Sequence, residues 1–212
     1  MSPASTLNLL RTRSDCLAKA RDFFAKRGVT EVDPGALVRS PPIDANIDVM
    51  SVAVSNHEIG YLHTSPEYAM KKLLSQGAGD IYFLGHVYRK GEVGARHNPE
   101  FTMAEWYRID FSFAEMIQET ADFIRLFLVD LPIQILSYQE IFETHTSLNP
   151  HACSKEDLYQ TAVRFNLDLP ETALAWEPET LRHLLLTHII EPNLGDNKLT
   201  VVIDYPPEEA VS

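Results

Sequence analysis

The stretch from Tyr61 to Arg108 constrains this chain more than any other, because it holds a helix start, two strands and the loop that joins them. Ser65, Pro66 and Glu67 supply a cap, a pre-set φ and a first-turn acid for a helix, and Gly77 stops it. An apolar run, Ile81 to Arg89, is followed by a polar loop and a return run, Glu100 to Arg108. Read as a hairpin, the period of two puts Phe101, Met103, Glu105 and Tyr107 on one face of the return strand, with Thr102, Ala104 and Trp106 on the other. Gly85, Val87 and Arg89 likewise share a face. One side of the hairpin can therefore gather a guanidinium, a phenyl ring, a carboxylate and a phenol. Such charges are costly to bury dry, so this side reads as the lining of a wet or ligand-filled cleft.

The loop Lys90 to Pro99 adds Arg96, His97 and Asn98, with Gly91 and Gly94 to let it bend. Arginine forks pair with phosphate oxygens and a phenyl ring offers a flat surface to a purine, so the loop suits a polyphosphate. The same residues also suit a solvated hairpin tip.

Composition narrows the classes of function. At 212 residues and 45% hydrophobic, the chain can bury a substantial core and reads as one domain. It has no apolar run of membrane-spanning length and no signal-peptide core, so a soluble, cytoplasmic protein is expected. Cys16 and Cys153 are isolated, which argues against a zinc site or a disulfide framework, and no metal ligands are assigned. The net charge of −12 is uneven: residues 1–60 carry 7 basic and 7 acidic side chains, 61–108 carry 6 and 5, and 109–212 carry 5 and 18. No basic patch or tail is visible, so tRNA is not expected as the main partner.

Elsewhere the patterning is structural. Leu7 to Lys26 reads as a helix with Leu10, Leu17, Ala20 and Phe24 along one stripe, closed by Gly28. A loop over residues 40–60 leads into a strand at Asp48 to Val54, and His57 and Glu58 do not form a zinc-protease motif. Phe113 to Asp130 reads as an amphipathic helix turning Phe113, Met116, Ile117, Ile124, Phe127 and Leu128 inward. A short helix, a turn at Asn149-Pro150, a Ser154-capped helix, a helix from Glu179 to Ile190 and a strand from Leu199 to Tyr205 complete the order. His183 and His188, five apart, do not share a helix face.

The strings TSPEYAMKKLL and YRKGEVGARHNPEFTMAEWYR resemble the second signature motif of the class II aminoacyl-tRNA synthetases. Within that superfamily they are most similar to the lysyl-tRNA synthetase paralogues that attach a lysine-type amino acid to elongation factor P. Weaker similarity runs through FFAKRGVTEV, SLNPHACSKEDL and EPNLGDNKLT, so the resemblance covers nearly the whole chain. It implies an α+β fold, a mostly antiparallel sheet flanked by helices, with 1–212 as one partial catalytic domain. The first motif falls at about residues 22–37 and the second at about 81–108. The first motif implies a homodimer interface, although Pro34-Gly35 stands where the family has its Thr-Pro. No GxGxxR-like string occurs, so the third motif and its magnesium-holding strand are expected to be missing from a chain that is C-terminally incomplete.

The resemblance also implies roles. Arg89 matches the catalytic arginine that grips the ATP α-phosphate and the amino-acid carboxylate; Arg96 and His97 match residues near the terminal phosphates, and Asn98 and Phe101 match the adenine contacts. Ser65 and Glu67 match substrate contacts, Glu67 at the α-amino group, while Glu105 and Tyr107 match the pocket for the side-chain amine. Glu67 also has a local explanation as a helix-dipole acid. The family places a Glu two positions after the motif arginine, where this chain has Gly91, with Glu92 one further on. The implied cofactors are ATP and Mg2+; the implied substrates are lysine or β-lysine and elongation factor P, joined through an aminoacyl adenylate. Two other readings stand beside this one: an inert paralogue that at most binds a nucleotide, an amino acid or a protein, and a catalytic fragment of a lysyl-tRNA synthetase.

Overall fold

The computed structural model describes residues 3–40, 47–95 and 97–209, which fall into two compact units, Met1–Phe127 and Leu128–Ser212. In the first, helix α1 (Pro3–Ala25) leads to the short strands β1 (Thr30–Glu31) and β2 (Leu37–Val38). The hairpin β3 (Met50–Ser55) and β4 (Glu58–Leu62), helix α2 (Glu67–Ser75), the hairpin β5 (Ile81–Tyr88) and β6 (Glu100–Tyr107), and helix α3 (Phe113–Arg125) follow. The main sheet has the order β1-β5-β6, with β1 parallel to β5 and β5 antiparallel to β6; a second sheet, β2-β4-β3, is antiparallel throughout. Antiparallel pairings thus predominate among the described residues, and the expected α+β architecture is borne out.

The register of β5 on β6 runs from Ile81 opposite Tyr107 to Tyr88 opposite Glu100, without a bulge. Alternation then sends the two faces of the hairpin to different neighbours. On one face Tyr82, Leu84 and Trp106 meet Phe23 and Phe24 of α1 and Phe123 of α3. On the other, Ile81, Phe83 and Val87 lie under Met70 of α2, with Phe101, Met103 and Tyr107 at the margin. A buried carboxylate ties the first layer together. Glu119 accepts from Trp106 Nε1 at 3.1 Å and sits 3.6 Å from Arg27 Nε and 3.5 Å from Arg108 Nε. Arg108 also pairs with Asp80 at 3.2 Å.

Two sequence expectations are corrected here. Leu10 on α1 is 59% exposed, so the packed stripe begins nearer Ala20. α3 ends at Arg125, so Phe127 and Leu128 lie beyond it and are exposed, as is Phe113 at its start; the most buried side chains on the helix are Glu119 and Ala121, which the charge network turns inward.

The second unit is built around a parallel pair, β7 (Ile133–Ser137) and β8 (Leu199–Ile203). Parallel pairing demands a crossover, here α4 (Tyr138–Thr146), α5 (Lys155–Arg164) and α6 (Pro178–Leu185). Ser137 and Ser154 cap α4 and α5 in reciprocal boxes with Glu140 and Asp157, as Ser112 caps α3 with Glu115. Tyr138, Phe142, Leu158, Leu181 and Leu185 form its core. After α6 the chain makes one π-helical turn, Leu186–Ile190, before a 3₁₀ turn containing Pro192. Among the described residues, no helix is long and apolar enough to cross a membrane.

Candidate active site

The start of α2 and the near half of β6 bring three of the expected residues into one hydrogen-bonded group. Ser65 Oγ accepts from the Glu67 amide at 3.1 Å in a turn just ahead of α2, whose N-cap is Pro66 and not the expected Ser65. The same hydroxyl donates to Glu105 Oε2 at 2.7 Å, and Tyr107 OH donates to Glu105 Oε1 at 3.0 Å. Both carboxylate oxygens of Glu105 are thereby held by neutral donors, which fix its orientation and leave its charge in place. Burial first, and then the Glu105 charge and hydrogen bond, push the Tyr107 phenol well above its ordinary value. Glu67 is half exposed and takes an ion pair from Lys71 one turn along the helix, which raises the Lys71 pKa.

The far end of the same hairpin forms a second group. The Arg89 amide donates to Pro99 O at 2.8 Å, extending the ladder one step past β5. Gly91 then turns the chain with φ +80°, a conformation that side chains resist, and this brings Glu92 Oε1 back to 3.7 Å from Arg89 Nη1. The loop thus pairs Glu92 with Arg89. Gly94 and His97 exchange backbone hydrogen bonds at 3.0 and 3.4 Å, closing the tip. The Arg89 guanidinium lies 5.2 Å from the centre of the Phe101 ring, and its Nε is buried with no hydrogen-bond partner among the described residues. A hollow of about 560 Å3 opens here, lined by Arg89, Glu92, Val93, His97, Asn98 and Phe101. Arg96 lies outside the described residues.

Both groups occupy one face of the hairpin, as the alternation requires, but not one cavity. Glu105 and Tyr107 do not line the loop hollow. Phe101 and Glu105 are four residues apart on β6, roughly 13 Å at the usual rise of a strand. Between them Met103 faces Gly85, and the Phe83 ring folds over Gly85 so closely that a Cβ there would stand 2.6 Å from Phe83 Cζ. A small molecule bridging the two groups would span that glycine.

Sequence reading passed over His63, which is 3% exposed. Its Nε2 meets His86 O at 2.9 Å, its carbonyl accepts from the Tyr88 amide at 3.0 Å, and its amide donates to Ala36 O at 2.9 Å. His63 thus ties β5 to the segment that presents Ser65, and it borders a further hollow of about 640 Å3 between β2 and α2. A histidine two places before a helix cap gives no local sign of this.

A family model for tRNA synthetases class II (D, K and N) matches residues 2–211. The chain belongs to the class II tRNA synthetase family. The resemblance read from the two motif strings is borne out. Curated relatives include the elongation factor P–(R)-beta-lysine ligases of Pasteurella multocida (strain Pm70), 34% identical over 98% of this chain and 65% of that protein, and of Haemophilus ducreyi (strain 35000HP), 35% identical over 98% and 64%. The ligase of Salmonella agona (strain SL483) is 37% identical over 98% of this chain and 65% of that protein. The chain spans about 65% of the length of these relatives.

For a class II synthetase domain, the residues present fit a nucleotide at the loop hollow. Arg89 offers an unpartnered buried N–H and a guanidinium beside an aromatic face, the donor set that a phosphate and a purine need. The described residues contain no group of three or more His, Cys, Asp or Glu that could hold a metal ion. Magnesium is therefore assigned no protein ligand among them.

Proposed function

We propose that this class II synthetase domain activates a lysine-type amino acid with ATP and transfers it to a lysine of elongation factor P. The observation that carries the reading is the placement, on one hairpin face, of Arg89, whose buried Nε has no partner among the described residues, beside Phe101 and of an oriented carboxylate, Glu105, farther along. The first set suits ATP and the second suits a distal ammonium. The relatives' names supply the acceptor and point to (R)-β-lysine as the amino acid.

In this reading the adenine rests on Phe101 near Asn98, and Arg89 holds the α-phosphate and the amino-acid carboxylate together. Those two anions repel each other, and a fixed cation offsets the repulsion most as charge builds at phosphorus, which lowers the barrier to attack. The carboxylate oxygen bonds to the α-phosphorus and pyrophosphate leaves, giving the mixed anhydride. The acceptor amine then attacks its carbonyl carbon, loses a proton and expels AMP. Glu105, its two oxygens held by Ser65 and Tyr107, selects a substrate with a distal positive charge, since an uncharged side chain leaves that carboxylate unpaired. Glu67 holds the amino group nearer the carboxyl, and His97, with Arg96, serves the terminal phosphates. Magnesium arrives with the nucleotide in this scheme, and a homodimer in the cytoplasm is the working assembly.

Arg89→Ala is the direct test. ATP should raise the melting temperature of the parent chain and leave that of the variant unmoved; an equal rise in both would remove Arg89 from the site.

A further inference from the structure

The hollow between β2 and α2 is not used by the scheme above, and its chemistry differs from that of both groups. Its described lining holds three cations, Arg39, Lys71 and Lys72, and no carboxylate. The floor is apolar, with Val38, Pro66 and Ala69, and the half-exposed ring of Tyr68 stands at its side. In a chain of net charge −12 such a local excess of positive charge is conspicuous. Lys71 is committed to Glu67, which leaves Arg39 and Lys72 as the charges that a visitor would meet. Ser65 borders the hollow and also donates to Glu105, so whatever enters lies next to the amino-acid group.

We infer that this hollow docks an acidic segment of the acceptor protein, presenting the neighbouring lysine to the activated amino acid; the inference rests on the proposed function. A volume of about 640 Å3 suits a few peptide side chains. Polypeptide is favoured over RNA by charge. Residues 128–212 alone carry 14 acidic and 4 basic side chains, and a chain so negative repels an extended polyanion, whereas a short acidic run meets mainly the charges within about a Debye length, ~8 Å in physiological salt. The apolar floor and Tyr68 suit side-chain contacts, and rim charges of this kind set partner choice and association rate.

The experiment compares the full chain with the double variant Arg39→Ser/Lys72→Ser, reading elongation factor P binding by calorimetry and, separately, the ATP-induced rise in melting temperature. Both substituted residues lie outside the nucleotide and amino-acid groups. The expected result is a loss of acceptor affinity of about tenfold or more, an intact ATP response, and recovery of binding in Arg39→Lys/Lys72→Arg. Unchanged acceptor affinity in the serine variant overturns the inference and leaves the proposed function standing. Failure of the parent chain to bind elongation factor P overturns the acceptor assignment itself, and the inference falls with it. Joint loss of both readouts also counts against docking, because docking alone spares the nucleotide site. A single-stranded RNA oligonucleotide whose binding depends on Arg39 and Lys72 while acceptor binding does not would reassign the hollow to nucleic acid.

Discussion

The two faces of the β5–β6 hairpin use the same register and the same backbone hydrogen bonds, yet one is a dry core and the other carries the candidate site. On the α1 side Phe24 stacks on Tyr82 with ring centres 4.3 Å apart, and Trp106 and Phe123 close around them at 5.4 and 5.3 Å. The polar atoms that reach this layer face partners within it: Tyr82 OH donates to Glu31 at 2.8 Å, Trp106 Nε1 donates to Glu119, and the buried Arg108 Nε, which has no hydrogen bond among the described residues, lies 3.5 Å from the Glu119 carboxylate. On the α2 side the apolar residues stop short, and the polar groups beyond them either hold one another, as Ser65, Glu105 and Tyr107 do, or lack a partner, as Arg89 Nε does. Each face keeps one buried guanidinium N–H without a hydrogen bond among the described residues, so what separates them is the surroundings: Arg108 lies against the buried Glu119 carboxylate, whereas Arg89 borders an open hollow.

The largest effect that would break this contrast is on the dry side. Phe24→Ala removes a fully buried ring from the stack and is expected to destabilise the first unit by about 3–5 kcal/mol, read as a lower denaturation midpoint. A loss below about 1 kcal/mol would mean that this layer is not the core it resembles.

The hairpin and its faces were legible in the sequence because alternation and turn chemistry are local. Ile81 to Tyr88 and Glu100 to Tyr107 fall within a residue of the expected strands. What was not legible is non-local. Strand β4 (Glu58–Leu62) has a glycine at its centre and little alternation, and it exists because β2 and β3 pair with it from both sides. Strand β7 acquires a partner only when β8 returns 62 residues later, from Ser137 to Leu199. The inward face of α3 could not be read from hydrophobicity, since its most buried positions include an acid, Glu119, whose partners Arg27, Trp106 and Arg108 come from elsewhere in the chain. The site divides in the same way. Ser65, Glu105 and Tyr107 share hydrogen bonds while Arg89 and Phe101 line a separate hollow, the pairing of Glu92 depends on how Gly91 bends, and His63 carries no mark at all.

A matched pair of substitutions sharpens the comparison at intermediate size. Glu119→Gln and Glu105→Gln make the same small change on opposite faces. In Glu119→Gln the new amide would still accept from Trp106 but would leave Arg27 and Arg108 without their shared anion, so a stability loss of about 1–3 kcal/mol is expected. In Glu105→Gln one of the two acceptor oxygens becomes an NH2, so one of the Ser65 and Tyr107 hydroxyls keeps its acceptor and the other has to turn and accept from the amide; stability should move by about 1 kcal/mol, while lysine-dependent stabilisation falls away. Thermal melts of both variants with and without lysine decide it; an equal stability loss with retained lysine response would erase the functional difference between the faces.

The smallest expected effect concerns two tyrosines, one on each face, shifted by the same causes. Burial, reinforced by Glu31, pushes the Tyr82 phenol up to about 12, and burial, reinforced by Glu105, raises Tyr107. Because each folded value lies above the ordinary phenol value of about 10, the stabilising contribution is full below that pH and is lost as pH rises through the folded value. Ultraviolet titration of the tyrosinate band should therefore place Tyr82 and Tyr107 among the late-ionising phenols of the 8 tyrosines, with their transitions coinciding with alkaline loss of stability. Glu31→Gln should bring the Tyr82 transition down and leave Tyr107 in place, and Glu105→Gln should do the reverse, since each carboxylate touches only its own phenol. If either substitution moved both transitions, the two faces would be electrostatically coupled through the sheet, and the separation of core from site would have to be drawn along the strands instead of across them.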